Sequence, residues 1–240
     1  MNPHKLIIRL SLCSTIAALS AYVALAQQQR RPPANGRLAV VVDERLAALR
    51  RTPDLSGRLV RRLGRGRMVA ISASRTTQGV VFFLVNVTSR TRGWIQREAV
   101  VSATRADDDR RLLDLIKDSQ GFDQIARARI FLDNFPRSSL RPQVLLVLSN
   151  AAENQAARLS RDAAQRLRKT SGDAPEVTYF MNYSGLDRYN RQRVGFVFHR
   201  TTKRFHYDGA AWRELVRRYP DTPEAAEARQ RLADLAQLKD

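Results

Sequence analysis

Two histidines, His199 and His206, stand late in the chain, with Asp208 just beyond the second. On the two arms of a hairpin they would oppose one another. Two imidazoles alone make a poor metal site, because zinc is held by three or four protein ligands. The third histidine, His4, and the single cysteine, Cys13, both fall within the first 26 residues. Without those residues the chain has no thiol for nucleophilic catalysis, for a disulfide or for a cysteine-ligated metal. It also has no G-x-S-x-G elbow, no G-x-x-x-x-G-K-[ST] phosphate loop and no G-x-G-x-x-G fingerprint. Gly64-Arg65-Gly66 reads as a turn. Asp107-Asp108-Asp109 reads as a helix start, where the dipole favours carboxylates. No catalytic residue, metal ligand or cofactor is assigned, and the protein is read as non-enzymatic.

The segments around these residues explain where such a chain would work. Lys5 and Arg9 precede an uncharged run from Leu10 to Ala26, and Ala24-Leu25-Ala26 has the small-x-small form of a cleavage site. That order defines a secretory signal peptide over residues 1–26 and predicts a periplasmic or extracellular protein. An uncleaved anchor over residues 10–26 is the alternative, since the run approaches a short membrane span. Leu12 before Cys13 argues against lipidation. Residues 27–37, with Arg30-Arg31-Pro32-Pro33, read as a linker.

The charge is large, +19 over 240 residues. Removing the leader takes away Lys5 and Arg9 and leaves 40 basic against 23 acidic residues, a net +17. A field of this size attracts polyanions. In an exported protein those are anionic envelope polymers or a membrane surface, and nucleic acid is not expected. An Arg-rich composition spread over solvated faces is the competing reading.

Residues 38–103 are punctuated by short apolar runs and turns. Leu38–Val42, Leu59-Val60, Met68–Ser72, Val80–Val87 and Trp94-Ile95 read as strands, Arg45–Arg51 is ambiguous, and Arg75–Gly79 reads as a turn. The eight residues from Val80 to Val87 form the strongest strand, rich in β-branched and aromatic types. Such spacing predicts a small barrel or sandwich. The order Leu49-x-Arg51-x-Pro53, an apolar pair at 59–60, Leu63 before Gly-x-Gly, and a Gly93-Trp94-Ile95 close ending in Ala99-Val100-Val101 resembles the bacterial Src-homology-3-like (SH3b) domain. The family's usual middle-strand tryptophan is replaced by Phe82 or Phe83. The resemblance implies an SH3-like β-barrel that binds peptidoglycan or an envelope peptide. The contact residues it suggests are Trp94, Phe82, Phe83, Arg51, Arg90 and Arg92. A core position is the favoured alternative for Trp94. The segment has no tyrosine, so a proline-motif groove is not expected. It does carry twelve arginines against Asp43, Glu44, Asp54 and Glu98.

Residues 107–240 read as helical. A helix begins at Asp107–Asp109. A second runs from Phe122 to Phe135 and stops at Pro136. A third is capped by Ser138 or Ser139 and runs to about Arg168, with Val144, Leu145, Leu148, Ala151, Ala152, Leu159 and Leu167 as core positions. Asn134-Phe135-Pro136-Arg137-Ser138 then recurs as Arg218-Tyr219-Pro220-Asp221-Thr222. This aromatic-Pro-x-[Ser/Thr] junction between amphipathic helices resembles tetratricopeptide-like repeats, although the spacing is much longer than tandem repeats use. The resemblance implies helical hairpins that bind a protein partner. Between the two units, Val194–His199 and Arg204–Tyr207 read as a short β-hairpin, with a continuous helix as the alternative. The expected fold class is therefore α+β. The expected function is an exported envelope protein that binds peptidoglycan through one module and another protein through the other. An electrostatic binder of anionic polymers or lipids is the alternative, and an enzyme with an unfamiliar site near residues 177–206 is a third reading.

Overall fold

The computed structural model describes residues 36–169 and 184–237. The expected leader and nearly all of the linker lie outside these residues, as do residues 177–183 of the insertion. The chain forms two compact units, divided between Arg105 and Ala106. Among the described residues no helix is long and apolar enough to cross a membrane.

The first unit is an antiparallel sheet of seven strands: β1 (Arg37–Val41), β2 (Ala48–Arg50), β3 (Leu59–Arg62), β4 (Met68–Thr77), β5 (Val80–Asn86), β6 (Arg92–Gln96) and β7 (Val100–Val101). Their order is β3-β2-β6-β5-β4-β1-β7. Alternate residues face one side, and Val41, Leu49, Val69, Phe83, Val85, Ile95 and Val100 meet in one core. The sheet is open, not the closed barrel that the sequence predicts. Its edge strands, β3 and β7, pair only with β2 and β1. β7 has two residues, too few to form a seam, and β3 is exposed along its whole length. Arg61 and Arg62 on β3 place charge on that open edge, which discourages pairing with another chain.

Two local departures have clear causes. The segment read as a turn at Arg75–Gly79 is mostly strand: Thr76 pairs with Val81 and Thr77 with Val80. Only Gln78 and Gly79 turn, at φ of 51° and 77°. Positive φ at both central positions is the geometry that matches strand twist in a two-residue hairpin. The ambiguous stretch Arg45–Arg51 supplies β2, which crosses so close to β6 that a Cβ on Gly93 would lie 2.6 Å from the Arg50 carbonyl oxygen. Gly93 therefore sets the β2–β6 spacing.

The second unit contains α1 (Asp108–Lys117), α2 (Gly121–Asn134), α3 (Arg141–Lys169), the short α4 (Asp187–Asn190), α5 (Ala210–Arg218) and α6 (Pro223–Gln237). Asp107 precedes α1 in the left-handed region and makes no side-chain cap, while Asp109 accepts from the Arg110 N–H. Ser138 accepts from the Leu140 N–H ahead of α3. Leu167, expected in the core, is only half-buried. Between α4 and α5 lies an antiparallel hairpin, β8 (Phe196–His199) and β9 (Arg204–Tyr207).

The buried cation Arg141 ties the helices of this unit together. Arg141 is 7% exposed. Its Nη1 donates to the carbonyls of Leu132 and Phe135 at 2.8 and 3.3 Å, and its Nε donates to the Tyr219 hydroxyl at 3.2 Å. Glu214 lies 3.8 Å from its Nη2. Leu132 and Phe135 end α2, and Tyr219 ends α5, so one guanidinium joins the two equivalent aromatic-Pro junctions. It also satisfies carbonyls that a helix C-terminus leaves without partners.

Replacing Arg141 by Met keeps much of the volume but strands those carbonyls. Urea denaturation should show a loss of roughly 3 kcal/mol from the helical unit. Gly93→Ala should cost the sheet unit about 1–3 kcal/mol through the forced shift of β2. Two-probe unfolding that assigns each loss to its own unit checks both.

Candidate functional site

The strand register determines what each sequence-predicted contact residue can do. On β6, Ile95 enters the core, so Trp94 points to the other side of the sheet and is half-buried there. It lies outside the core that Val41, Leu49 and Ile95 share. Trp94 lies opposite Leu84 on β5 and opposite Arg50 on β2. Phe82, one register step along, shares this face and is 1% exposed. Phe83 faces the core instead, with the Arg105 guanidinium 4.9 Å above its ring. Arg92 pairs with Asn86 on the Trp94 side and is exposed. Arg51 is exposed in the β2–β3 loop, its N–H donating to the Arg58 carbonyl at 3.0 Å. Arg90 is exposed in the β5–β6 turn, its N–H donating to the Thr88 hydroxyl at 3.3 Å.

The structure thus brings Trp94, Phe82 and Arg92 to one face and puts Phe83 on the other. Arg50, which sequence reasoning missed, belongs with the first group. Its Nη1 donates to the Gly57 carbonyl at 2.8 Å, so it braces the loop beside Trp94. In that loop the Ser56 hydroxyl and N–H both donate to Asp54, which lowers the Asp54 pKa and keeps its carboxylate charged. The result is a partly exposed indole opposite Arg50 on β2, with Arg92 two residues earlier on the same face of β6. Indole and guanidinium surfaces are the ones that binding interfaces favour, because they combine apolar area with hydrogen-bond donors.

The helical unit holds a different recess, of about 370 Å³, between the β8–β9 hairpin and the end of α6. Leu232, Leu235 and Ala236 from α6 and Val197 from β8 supply its apolar surface; His206, Asp208 and Arg213 supply polar groups. Val197 is 56% exposed. The two histidines are not directly opposed: His206 pairs with Val197 and His199 with Arg204. His199 Nδ1 lies 3.3 Å from the Thr202 N–H. His206 Nδ1 lies 3.4 Å from Glu153 on α3, close enough to pair electrostatically but outside hydrogen-bond geometry. Among the described residues no three His, Cys, Asp or Glu side chains cluster as metal ligands.

The hairpin is fixed from behind. The free edge of β9 is closed by side chains of α3: the Phe205 N–H donates to the Ser160 hydroxyl at 2.8 Å, and the Tyr207 N–H to Glu153 at 2.9 Å. Tyr207 is 2% exposed, stacks edge-on against Trp212 at 5.4 Å, and accepts the Ala211 N–H at 2.7 Å. Burial pushes its hydroxyl up to about 12. The recess therefore has a rigid wall with an apolar base, and it can accept an apolar side chain flanked by polar backbone. No protein-family model matches the chain, and no curated protein or solved structure is significantly similar to it.

The raised Tyr207 pKa has a measurable consequence. An unfolded tyrosine ionises near 10 and this one near 12. Its contribution to stability is intact below pH 10 and is lost as pH rises through 12. The expected loss is roughly 2–3 kcal/mol for the helical unit, and Tyr207→Phe should abolish that part of the alkaline decline. Denaturant melts of both proteins between pH 9 and 12 test this.

Proposed function

We propose that this chain is a non-enzymatic, exported envelope protein whose sheet module binds peptidoglycan or an envelope peptide and whose helical module binds a protein partner. The observation that carries the reading is the outward direction of Trp94. The side chain most specific to the SH3b resemblance stands on the face away from the core, between Leu84 and Arg50, with exposed Arg92 on the same strand face. An indole supplies a flat apolar surface for a sugar ring or a peptide side chain, and adjacent guanidiniums supply donors for carboxylates. The recess beside the β8–β9 hairpin supports the second half, because its apolar base and polar rim suit one or two side chains of a docking segment.

A second reading rests on the net charge. Attraction of anionic polymers to an Arg-rich surface needs no groove and is lost steeply with salt, as counterion release requires. Retention of the purified protein on isolated sacculi at physiological ionic strength separates the two. Binding that survives from about 50 to about 200 mM salt, and that falls at least tenfold in Trp94→Ala with the fold intact by circular dichroism, is expected. Retention that vanishes over that range, or that is indifferent to Trp94, favours the electrostatic reading. No retention at low salt removes wall binding altogether.

A further inference from the structure

Among the described residues five large apolar side chains are strongly exposed, and three of them, Leu55, Leu59 and Val60, fall in one short stretch at the open edge of the sheet unit. They are 48%, 46% and 42% exposed. Leu59 and Val60 begin β3, and Leu55 stands in the loop before it. Consecutive strand residues ordinarily face opposite sides of a sheet. Here the register shifts, with Arg50 opposite Leu59 and Leu49 opposite Arg61, so Val60 has no partner on β2. A bulge of this kind bends the strand and re-aims its side chains, and all four residues of β3 are left exposed.

The loop that carries Leu55 is tightly held. The Arg51 N–H donates to the Arg58 carbonyl at 3.0 Å across its neck, and the Gly57 N–H donates to the Asp54 carbonyl at 3.2 Å. Arg50 Nη1 donates to the Gly57 carbonyl at 2.8 Å. A Cβ on Gly57 would lie 3.1 Å from the carbonyl oxygens of both Thr52 and Asp54. Leu55 is therefore presented from a pre-formed loop, and binding through it costs little ordering entropy. Arg51, Arg58, Arg61 and Arg62 flank the three apolar side chains in the loop and on β3, and all four are exposed. The carboxylate within this stretch, Asp54, is engaged inside the loop, where the Ser56 hydroxyl and N–H both donate to its Oδ1 at 2.7 Å.

We propose that this edge is a docking surface for an anionic phospholipid bilayer, with Leu55, Leu59 and Val60 entering the boundary between headgroups and acyl chains and the four arginines binding lipid phosphates. Charge complementarity selects the occupant. A guanidinium matches phosphate bidentately, and apolar side chains flanked by basic ones are the composition that holds a peripheral protein on such a surface. A second copy of the chain would bring the same arginines against one another. A peptide strand would need a regular edge, which the bulge denies it. A fluid bilayer supplies phosphates wherever the guanidiniums stand. Unlike diffuse attraction by net charge, this docking has a fixed place and an apolar component, and it does not rest on wall binding through Trp94.

Co-sedimentation with lipid vesicles is the test. The protein without residues 1–26 is used, because the apolar run of the expected leader would itself bind lipid. Binding is expected to vesicles of phosphatidylcholine containing about a third phosphatidylglycerol, and at least about tenfold weaker binding to phosphatidylcholine alone. Leu55→Ser with Leu59→Ser, and Arg61→Gln with Arg62→Gln, should each weaken binding to the anionic vesicles at least about tenfold, with the fold intact by circular dichroism. Arg217→Gln with Arg231→Gln removes the same charge from exposed positions on α5 and α6, and should leave binding nearly unchanged. Isolated sacculi carry no bilayer and vesicles carry no wall, so failure of either binding leaves the other readable. The proposal is overturned if the anionic vesicles do not bind, if the two arginine pairs weaken binding equally, or if the leucine pair binds like the unaltered protein. Binding of poly-glutamate that is lost in Arg61→Gln with Arg62→Gln, without binding to vesicles, assigns the edge to an acidic peptide and also overturns it.

Discussion

A guanidinium buried between two helix ends is the constraint on which the helical unit depends. Arg141 opens α3, the longest helix, and from there reaches the last carbonyls of α2 and the tyrosine that closes α5. Those two junctions are the places where the sequence repeats itself. Burying a cation is expensive unless its donors are satisfied, and here three of its hydrogen bonds and the neighbouring Glu214 carboxylate meet that condition. Because the acceptors are backbone carbonyls at helix ends, α2, α3 and α5 can hold only one mutual arrangement. The β8–β9 hairpin then docks on α3, and its position fixes one wall of the apolar recess.

The sheet unit is governed by a steric constraint instead of an electrostatic one. β2 and β6 approach so closely at Gly93 that no side chain fits between them. Two-residue periodicity does the rest. Once Ile95 is in the core, Trp94 must face away from it. The outward indole is therefore a consequence of packing on the opposite face, and the same parity separates Phe82 from Phe83.

Arginine dominates the composition, and the structure divides its uses. Arg141 and Arg127 are buried, Arg127 donating to the Ser119 hydroxyl at 2.6 Å. Arg129 donates to the Gln192 carbonyl and ties α2 to the segment after α4. Arg105 covers a core phenylalanine. Arg158 and Arg161, by contrast, are exposed beside the hollow at the start of α2. Net charge cannot distinguish these roles, because a guanidinium contributes the same +1 whether it caps a helix, stacks on a ring or stands in solvent.

Much of the element pattern was legible in the chain. Periodicity located the long helices, Pro136 and Pro220 marked the stops between them, continuous apolar runs rich in β-branched residues marked β1 and β5, and alternation marked the hairpin at 196–207. The extent of β4 was not legible, since Arg75-Thr76-Thr77 has the composition of a turn and is strand only because Val80 and Val81 pair with it. Closure of the sheet was also beyond local reading, because it depends on whether β3 and β7 meet, and they are far apart in sequence. The hollow at the start of α2 left no motif at all. Gln120-Gly121, Gln155-Arg158 and Arg188 come from three separate helical regions, and none is informative alone. By itself the sequence determined composition, charge, helix limits and the repeated junction, which are properties of neighbouring residues. Only the tertiary structure decided which face Trp94 takes, where Arg141 is buried and which side chains converge on Gly121, because each depends on contacts between segments that local periodicity cannot register.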